Sequence, residues 1–141
     1  MNPPAPTATE LEAHPVVQAA FAAAWADSFV DDDALRHEEG GFVYANLDTG
    51  EISVRRAPPG ETDAIDLSFP TEVGGSFLVA TYHTHPHPPD RVWTAEPSPT
   101  DRRLAAESGV PWFVISHVGT FVTGPDCRRD GLSGPPGYPT D

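Results

Sequence analysis

The chain has 141 residues, of which 38% are hydrophobic, and carries a formal net charge of −13 at pH 7. Its length predicts one domain with a sizeable core. With only eight lysines and arginines, the composition argues against nucleic acid or an anionic membrane surface as a partner. The single cysteine, Cys127, excludes a disulfide framework within the chain and a cysteine-rich zinc site.

The N-terminal part is predicted to contain a loose lead-in followed by a helix. Residues 1–13 lack the basic region of a signal peptide, so we expect a cytoplasmic location, with export as an effector left open. Pro15 predicts a helix start, because proline favours the first turn. Apolar side chains then recur every four residues, which predicts a buried stripe to about residue 30. The stripe consists of Val17, Phe21, Trp25 and Phe29.

Residues 77–85 are the clearest predicted strand. Two shorter strands, at 42–45 and 52–55, precede it and are joined by a turn. In the longer strand, Phe77, Val79, Thr81, His83 and His85 alternate with Leu78, Ala80 and Tyr82. Since both sets contain apolar residues, the pattern predicts a central strand that is buried on both faces.

The C-terminal part is predicted to add a helix and two strands. The helix runs from Ser98 to about residue 108, and strands at 112–116 and 120–123 follow it. Residues 14–124 then form the domain, and residues 125–141 a mobile tail. This order predicts an α/β or α+β fold in which helices flank a single mixed sheet.

The histidines that end the central strand are candidate metal ligands. His83 and His85 share one face of a strand, because side chains alternate with a period of two. Asp101, at the start of the next helix, would complete a site of two histidines and one carboxylate. Such a site leaves a position open for water, as catalytic zinc sites do. No apolar run reaches the roughly 18 residues of a membrane-spanning helix.

Two further polar groups lie near this motif in the sequence. Ser98 could donate a hydrogen bond, although Ser98-x-x-Asp101 also matches a helix capping box, and the two interpretations are compatible. Glu38 or Glu39, ahead of a glycine pair, could act as a base. Together these residues indicate metal-assisted hydrolysis.

The order Glu…His-Thr-His-Pro…Ser-x-x-Asp resembles the JAMM (MPN+, JAB1-type) zinc metalloprotease family, over roughly residues 38–123. The short chain is most similar to the family's small prokaryotic JAB-like domains. The resemblance implies a JAB/MPN-like fold in which Zn²⁺ is bound by His83, His85 and Asp101. The family's Glu-x-x-Gly spacing selects Glu38.

In the roles that this resemblance implies, Glu38 takes a proton from water and Ser98 donates to the oxyanion. We therefore expect a hydrolase that cleaves a peptide or isopeptide bond in a protein or peptide, such as a ubiquitin-like conjugate. The alternatives are a non-catalytic binding or scaffold module and a toxin or effector domain with the same fold. The spacer at 86–97 is longer than in the family and is a candidate flap that carries Trp93.

Overall fold

The protein folds as a mixed β-sheet flanked by helices. The structure is a computed structural model that describes residues 5–62, 64–67, 72–89, 95–125 and 138–139. The described helices are α1 (Ala8–Ala13), α2 (Pro15–Asp27) and α3 (Pro99–Ser108). The described strands are β1 (Gly40–Asn46), β2 (Ile52–Arg56), β3 (Glu72–Val73), β4 (Ser76–His85), β5 (Trp112–Ser116), β6 (Gly119–Thr123) and β7 (Tyr138–Pro139). The predicted fold class, a single mixed sheet flanked by helices, is confirmed.

Strand β4 lies in the middle of the sheet, as its sequence predicted. The strand order is β2-β1-β4-β5-β6-β7, and β3 pairs with the start of β4. Among these pairs, β4 and β5 run parallel and the others run antiparallel. Since parallel neighbours need a crossover, the chain passes through α3 between them. This crossover brings the start of α3 close to the end of β4.

The helices cover opposite faces of the sheet. On one face, α1 and α2 contribute to a core in which the Phe21 ring lies 5.3 Å from Tyr82 and 5.2 Å from Phe113, between ring centroids. On the other face, Ala105 of α3 packs in a second core with Phe42, Tyr44 and Trp112. The alternation of β1 side chains between these two cores is the ordinary consequence of a strand's period of two.

A bulge in β4 corrects part of the predicted pattern. Val43 and Tyr44 of β1 pair with Ala80 and Leu78, so Val79 is an extra residue on β4. Leu78 packs in the core on the α3 face, whereas Val79 and Ala80 pack in the core on the α2 face. The prediction that Leu78 and Ala80 share a face is therefore wrong, because the extra residue reverses the alternation.

The predicted lead-in at 1–13 contains a helix that the sequence analysis missed. Thr7 accepts a hydrogen bond from the amide of Glu10, and the Glu10 carboxylate accepts one from the amide of Thr7. This capping box starts α1, and Leu11 then packs into the core with 1% of its surface exposed. Residues 8–13 are therefore part of the folded structure.

Helix α2 ends earlier than the apolar stripe predicted. It begins at Pro15 as expected, but its last residue is Asp27. Phe29 has a φ of 52° and is 50% exposed, so this residue leaves the helix and does not join the core. Val17 and Phe21 are buried, which confirms the first half of the stripe.

Two sequence predictions fall mostly on parts of the chain that lie outside the described residues. They are the candidate flap at Trp93 and the tail at 125–141, in which the described segment Tyr138–Pro139 pairs with β6. Among the described helices, none has the length and apolar character needed to cross a membrane.

Candidate metal centre

Strand β4 presents two histidines side by side near its end. The Nε2 atoms of His83 and His85 are 3.3 Å apart. His83 is almost completely buried, and its ring centroid lies 6.1 Å from that of Trp112 on the α3 face. His85, at the end of the strand, is less buried. The pair therefore occupies the end of the central strand with both Nε2 atoms directed towards a common point.

The first turn of α3 supplies a carboxylate to the same point. Ser98 caps the helix by accepting a hydrogen bond from the Asp101 amide (3.0 Å), and the Asp101 Oδ2 accepts one from the Ser98 amide (2.9 Å). The capping box is thus present. Asp101 also faces the histidines, with Oδ1 3.3 Å from the His83 Nε2 and Oδ2 3.2 Å from the His85 Nε2. Ser98-x-x-Asp101 is therefore both a helix capping box and the source of a carboxylate beside the two histidines.

These three side chains could hold a metal ion. Tetrahedral ligands about 2.0–2.1 Å from a zinc ion lie about 3.3 Å from one another. The two imidazole nitrogens have that spacing, at 3.3 Å, and each lies 3.2–3.3 Å from a different oxygen of Asp101. Two imidazoles and one carboxylate also form a ligand set that suits zinc. The donor set and the separation of its two nitrogens therefore fit the ion that the sequence predicted.

The electrostatics of this group favour positive charge. Burial lowers the pKa of His83, but the charge and hydrogen bond of Asp101 and the charge of Glu38 outweigh it, so the pKa is raised. Burial raises the pKa of Asp101, but the charge of His83 and hydrogen bonds from both histidines and the Ser98 amide hold it well below its usual range. A bound cation would supply the positive charge that these carboxylates stabilise.

Glu38 lies on the same side of the sheet as the histidines. Gly40 pairs with His83, and residues two apart on an extended strand share a face. In agreement, the charge of Glu38 raises the pKa of His83. Glu38 is buried, with its amide donating to the Glu61 carbonyl (2.7 Å) and its carbonyl accepting from the Gly60 amide (2.9 Å). The loop after β2 therefore holds the backbone of Glu38.

Glu39 is engaged elsewhere. Its carboxylate lies 2.5 Å from the His37 Nε2 and 3.0 Å from the Arg56 Nη2, and Arg56 also binds Asp27. Burial raises the pKa of Tyr82 to about 12, with Arg56 opposing this rise and Glu39 adding to it. These contacts place the Glu39 side chain in an ion-pair network on the α2 face. Sequence reasoning missed this network, since its members are far apart in the chain.

The glycine pair after these glutamates permits a close approach of β1 to β4. A Cβ atom at Gly40 would lie 2.4 Å from the Tyr82 carbonyl oxygen and 3.0 Å from the His83 Cβ. A Cβ atom at Gly41 would lie 2.4 Å from the Arg55 carbonyl oxygen and 2.7 Å from the Tyr82 hydroxyl oxygen. A side chain at Gly40 would therefore push β1 away from β4 beside His83, whereas a side chain at Gly41 would collide with β2 and the Tyr82 ring.

Comparison with known proteins gives one family. The model of a family described as prokaryotic homologs of the JAB domain matches residues 13–129, which is most of the chain. No curated protein and no solved structure gives a significant match.

Proposed function

The chain belongs to the family of prokaryotic homologs of the JAB domain, and on that premise we propose that it is a zinc-dependent hydrolase that cleaves a peptide or isopeptide bond. The observation that carries this proposal is the convergence of His83, His85 and Asp101 beside a buried Glu38. A purely structural zinc site would use four protein ligands, whereas this group offers three and would leave one position for water or substrate.

The proposed chemistry divides among the residues of this site. His83, His85 and Asp101 would hold the zinc ion. When bound, zinc lowers the pKa of water and polarises a carbonyl group. Glu38 would accept the proton of the attacking water, because it is a buried carboxylate on the same face as the ligands. It would then deliver that proton to the leaving amine.

Ser98 would stabilise the negative charge that develops on the carbonyl oxygen. Its Oγ accepts a hydrogen bond from the Asp101 amide, which fixes the oxygen next to the ligand group and leaves the hydroxyl proton to be donated. The same capping box orders Asp101, so one helix start would hold a ligand and present an oxyanion donor.

We propose a protein or peptide as the substrate, including isopeptide-linked ubiquitin-like conjugates. Peptide and isopeptide bonds present the same amide carbonyl, so the residues described do not favour one over the other. The excess of acidic residues makes a basic substrate segment compatible with the charge of the chain.

Zinc analysis and cleavage assays on matched variants test the proposal. The purified protein should bind one zinc ion, and His83→Ala should abolish binding. Glu38→Gln should keep zinc and lose cleavage of peptides or isopeptide-linked conjugates by about 10²–10⁴-fold. Glu39→Gln is the matched control, because that carboxylate lies in the network with Arg56; its effect should be much smaller.

The outcomes separate the proposed enzyme from its alternatives. Zinc that stays substoichiometric after reconstitution, with His83→Ala unchanged, would refute the metal site. Stoichiometric zinc without cleavage of any conjugate or peptide would favour a non-catalytic binding module. A larger loss in Glu39→Gln than in Glu38→Gln would contradict the assignment of the base.

A further inference from the structure

A buried pair of hydroxyl groups connects α2 to the strand that carries the histidines. The Ser28 Oγ donates to the Ala24 carbonyl oxygen (2.8 Å) and lies 2.8 Å from the Thr84 Oγ1. The Thr84 Oγ1 also accepts a hydrogen bond from the Glu39 amide (3.1 Å). Ser28 and Thr84 are both 0% exposed. The two hydroxyls thus join three elements of the fold: the end of α2, the end of β4 and the residue before β1.

The direction of this chain of hydrogen bonds follows from counting protons. Each hydroxyl has one proton, and that of Ser28 is donated to Ala24. The proton of Thr84 is therefore donated to Ser28, while its oxygen accepts from Glu39. The bonds run from the Glu39 amide through Thr84 and Ser28 to the Ala24 carbonyl. Such a fully paired set of buried groups resists rearrangement, because breaking any one hydrogen bond would leave a buried polar atom without a partner.

Thr84 also binds the backbone of Glu39 a second time. The Thr84 amide donates to the Glu39 carbonyl oxygen (2.9 Å), so one residue holds both polar groups of the Glu39 main chain. The amide of Glu39 belongs to the peptide bond that begins at Glu38. The regular pairing of β1 with β4 starts only at Gly40. The hydrogen bonds of Thr84 therefore also connect β4 to Glu39, the residue just before β1.

We propose that Thr84 is a positioning residue that holds Glu38 in register with the metal ligands through its hydroxyl group. The role rests on the proposed function, in which Glu38 is the base. Thr84 lies between His83 and His85 but faces α2, so its side chain does not join the ligand group. Valine has the same branched shape without the hydrogen-bonding group, so the hydroxyl can be tested apart from packing.

Three variants test the proposal: Thr84→Val, Thr84→Ser and Ser28→Ala. In Thr84→Val, hydrogen exchange of the Glu39 amide should accelerate by about tenfold or more, since that amide loses its acceptor. Zinc affinity should stay within about threefold, well short of the 10–100-fold loss that follows removal of groups supporting a metal ligand. Thr84→Ser should restore the protection of the Glu39 amide.

Ser28→Ala is the matched control for the loss of a buried hydrogen bond. It removes the acceptor of the Thr84 proton but leaves the bond from the Glu39 amide to Thr84. Its melting temperature should fall as in Thr84→Val, whereas the exchange of the Glu39 amide should change less than about threefold. Where cleavage is detected, Thr84→Val should lower kcat at unchanged KM, and Ser28→Ala should not.

Two results would overturn the positioning role. One is normal protection of the Glu39 amide in Thr84→Val. The other is a loss of zinc affinity in Thr84→Val as large as in His85→Ala, which would mean that the hydroxyl supports the ligands and not the base. Failure of the proposed function is distinguishable, because a protein without cleavage activity still reports amide exchange and zinc affinity.

Discussion

Replacing Gly40 by alanine should damage the candidate metal centre through the backbone. The new Cβ would lie 2.4 Å from the Tyr82 carbonyl oxygen, where ordinary van der Waals contact begins at 3.4 Å, so β1 and β4 must separate by about 1 Å at His83. Overpacking of this kind costs about 1–3 kcal/mol of unfolding free energy. Metal–ligand distances tolerate only about 0.2 Å, so we expect zinc affinity to fall at least about tenfold.

Gly41→Ala is the matched control for this prediction. Its Cβ would lie 2.4 Å from the Arg55 carbonyl oxygen on β2 and 2.7 Å from the Tyr82 hydroxyl oxygen at the end of a side chain, whereas the Cβ at Gly40 meets the β4 backbone beside His83. Urea denaturation should show a similar loss of stability for both variants, and zinc titration should show the larger loss of affinity for Gly40→Ala. Wild-type stability and zinc affinity in Gly40→Ala would refute the close approach of β1 to His83.

Three other substitutions test local features of the chain. Phe29→Gly should be more stable than Phe29→Ala by about 1 kcal/mol in urea denaturation, because only glycine relieves the cost of the positive φ; equal stabilities would contradict this strain. His37→Gln should lower stability most at acidic pH. Burial lowers the pKa of His37, but a carbonyl hydrogen bond and the charge of Glu39 outweigh it, so the folded pKa is raised above 6.5. The stabilisation by protonated His37 is then complete below about pH 6.5 and is lost as pH rises through the folded pKa. A loss of stability in His37→Gln that is larger at alkaline pH would contradict the ion pair of His37 with Glu39. Ser98→Ala should cost about 1 kcal/mol through loss of the cap on the Asp101 amide, measured by thermal unfolding, and an unchanged melting temperature would exclude that cap.

The strands could be predicted from the sequence because their signal is local. The predicted segments 42–45, 52–55, 112–116 and 120–123 all lie within described strands. The two histidines and the helix start at Ser98 were visible for the same reason, since side-chain alternation and the capping box each span only a few residues. Helix α1 carried the same kind of signal in Thr7-x-x-Glu10, but its six residues are too few for an apolar period to emerge.

The features that could not be predicted depend on contacts between distant residues. The chemistry of two adjacent glutamates is identical, so only the family resemblance favoured Glu38, and the pairing of Gly40 with His83 is what separates the faces of Glu38 and Glu39. The bulge at Val79 cannot be detected from the sequence, because the alternation of a strand that is apolar on both faces shows no change at the extra residue. The contact between Ser28 and Thr84 joins residues 56 positions apart, beyond the reach of any local pattern.

The parallel pairing of β4 and β5 has a consequence for the order of folding events. His83 and Asp101 meet only after the crossover has closed and α3 has docked, and such non-local closure is slow because its entropic cost precedes the stabilising contacts. We expect the side chains of the ligand group to reach their final separations late, after the folding transition state, because these separations require the native packing of α3 against β4. A metal ion that binds only the assembled group stabilises the native state alone. Zinc should consequently slow unfolding of the domain and leave its folding rate almost unchanged.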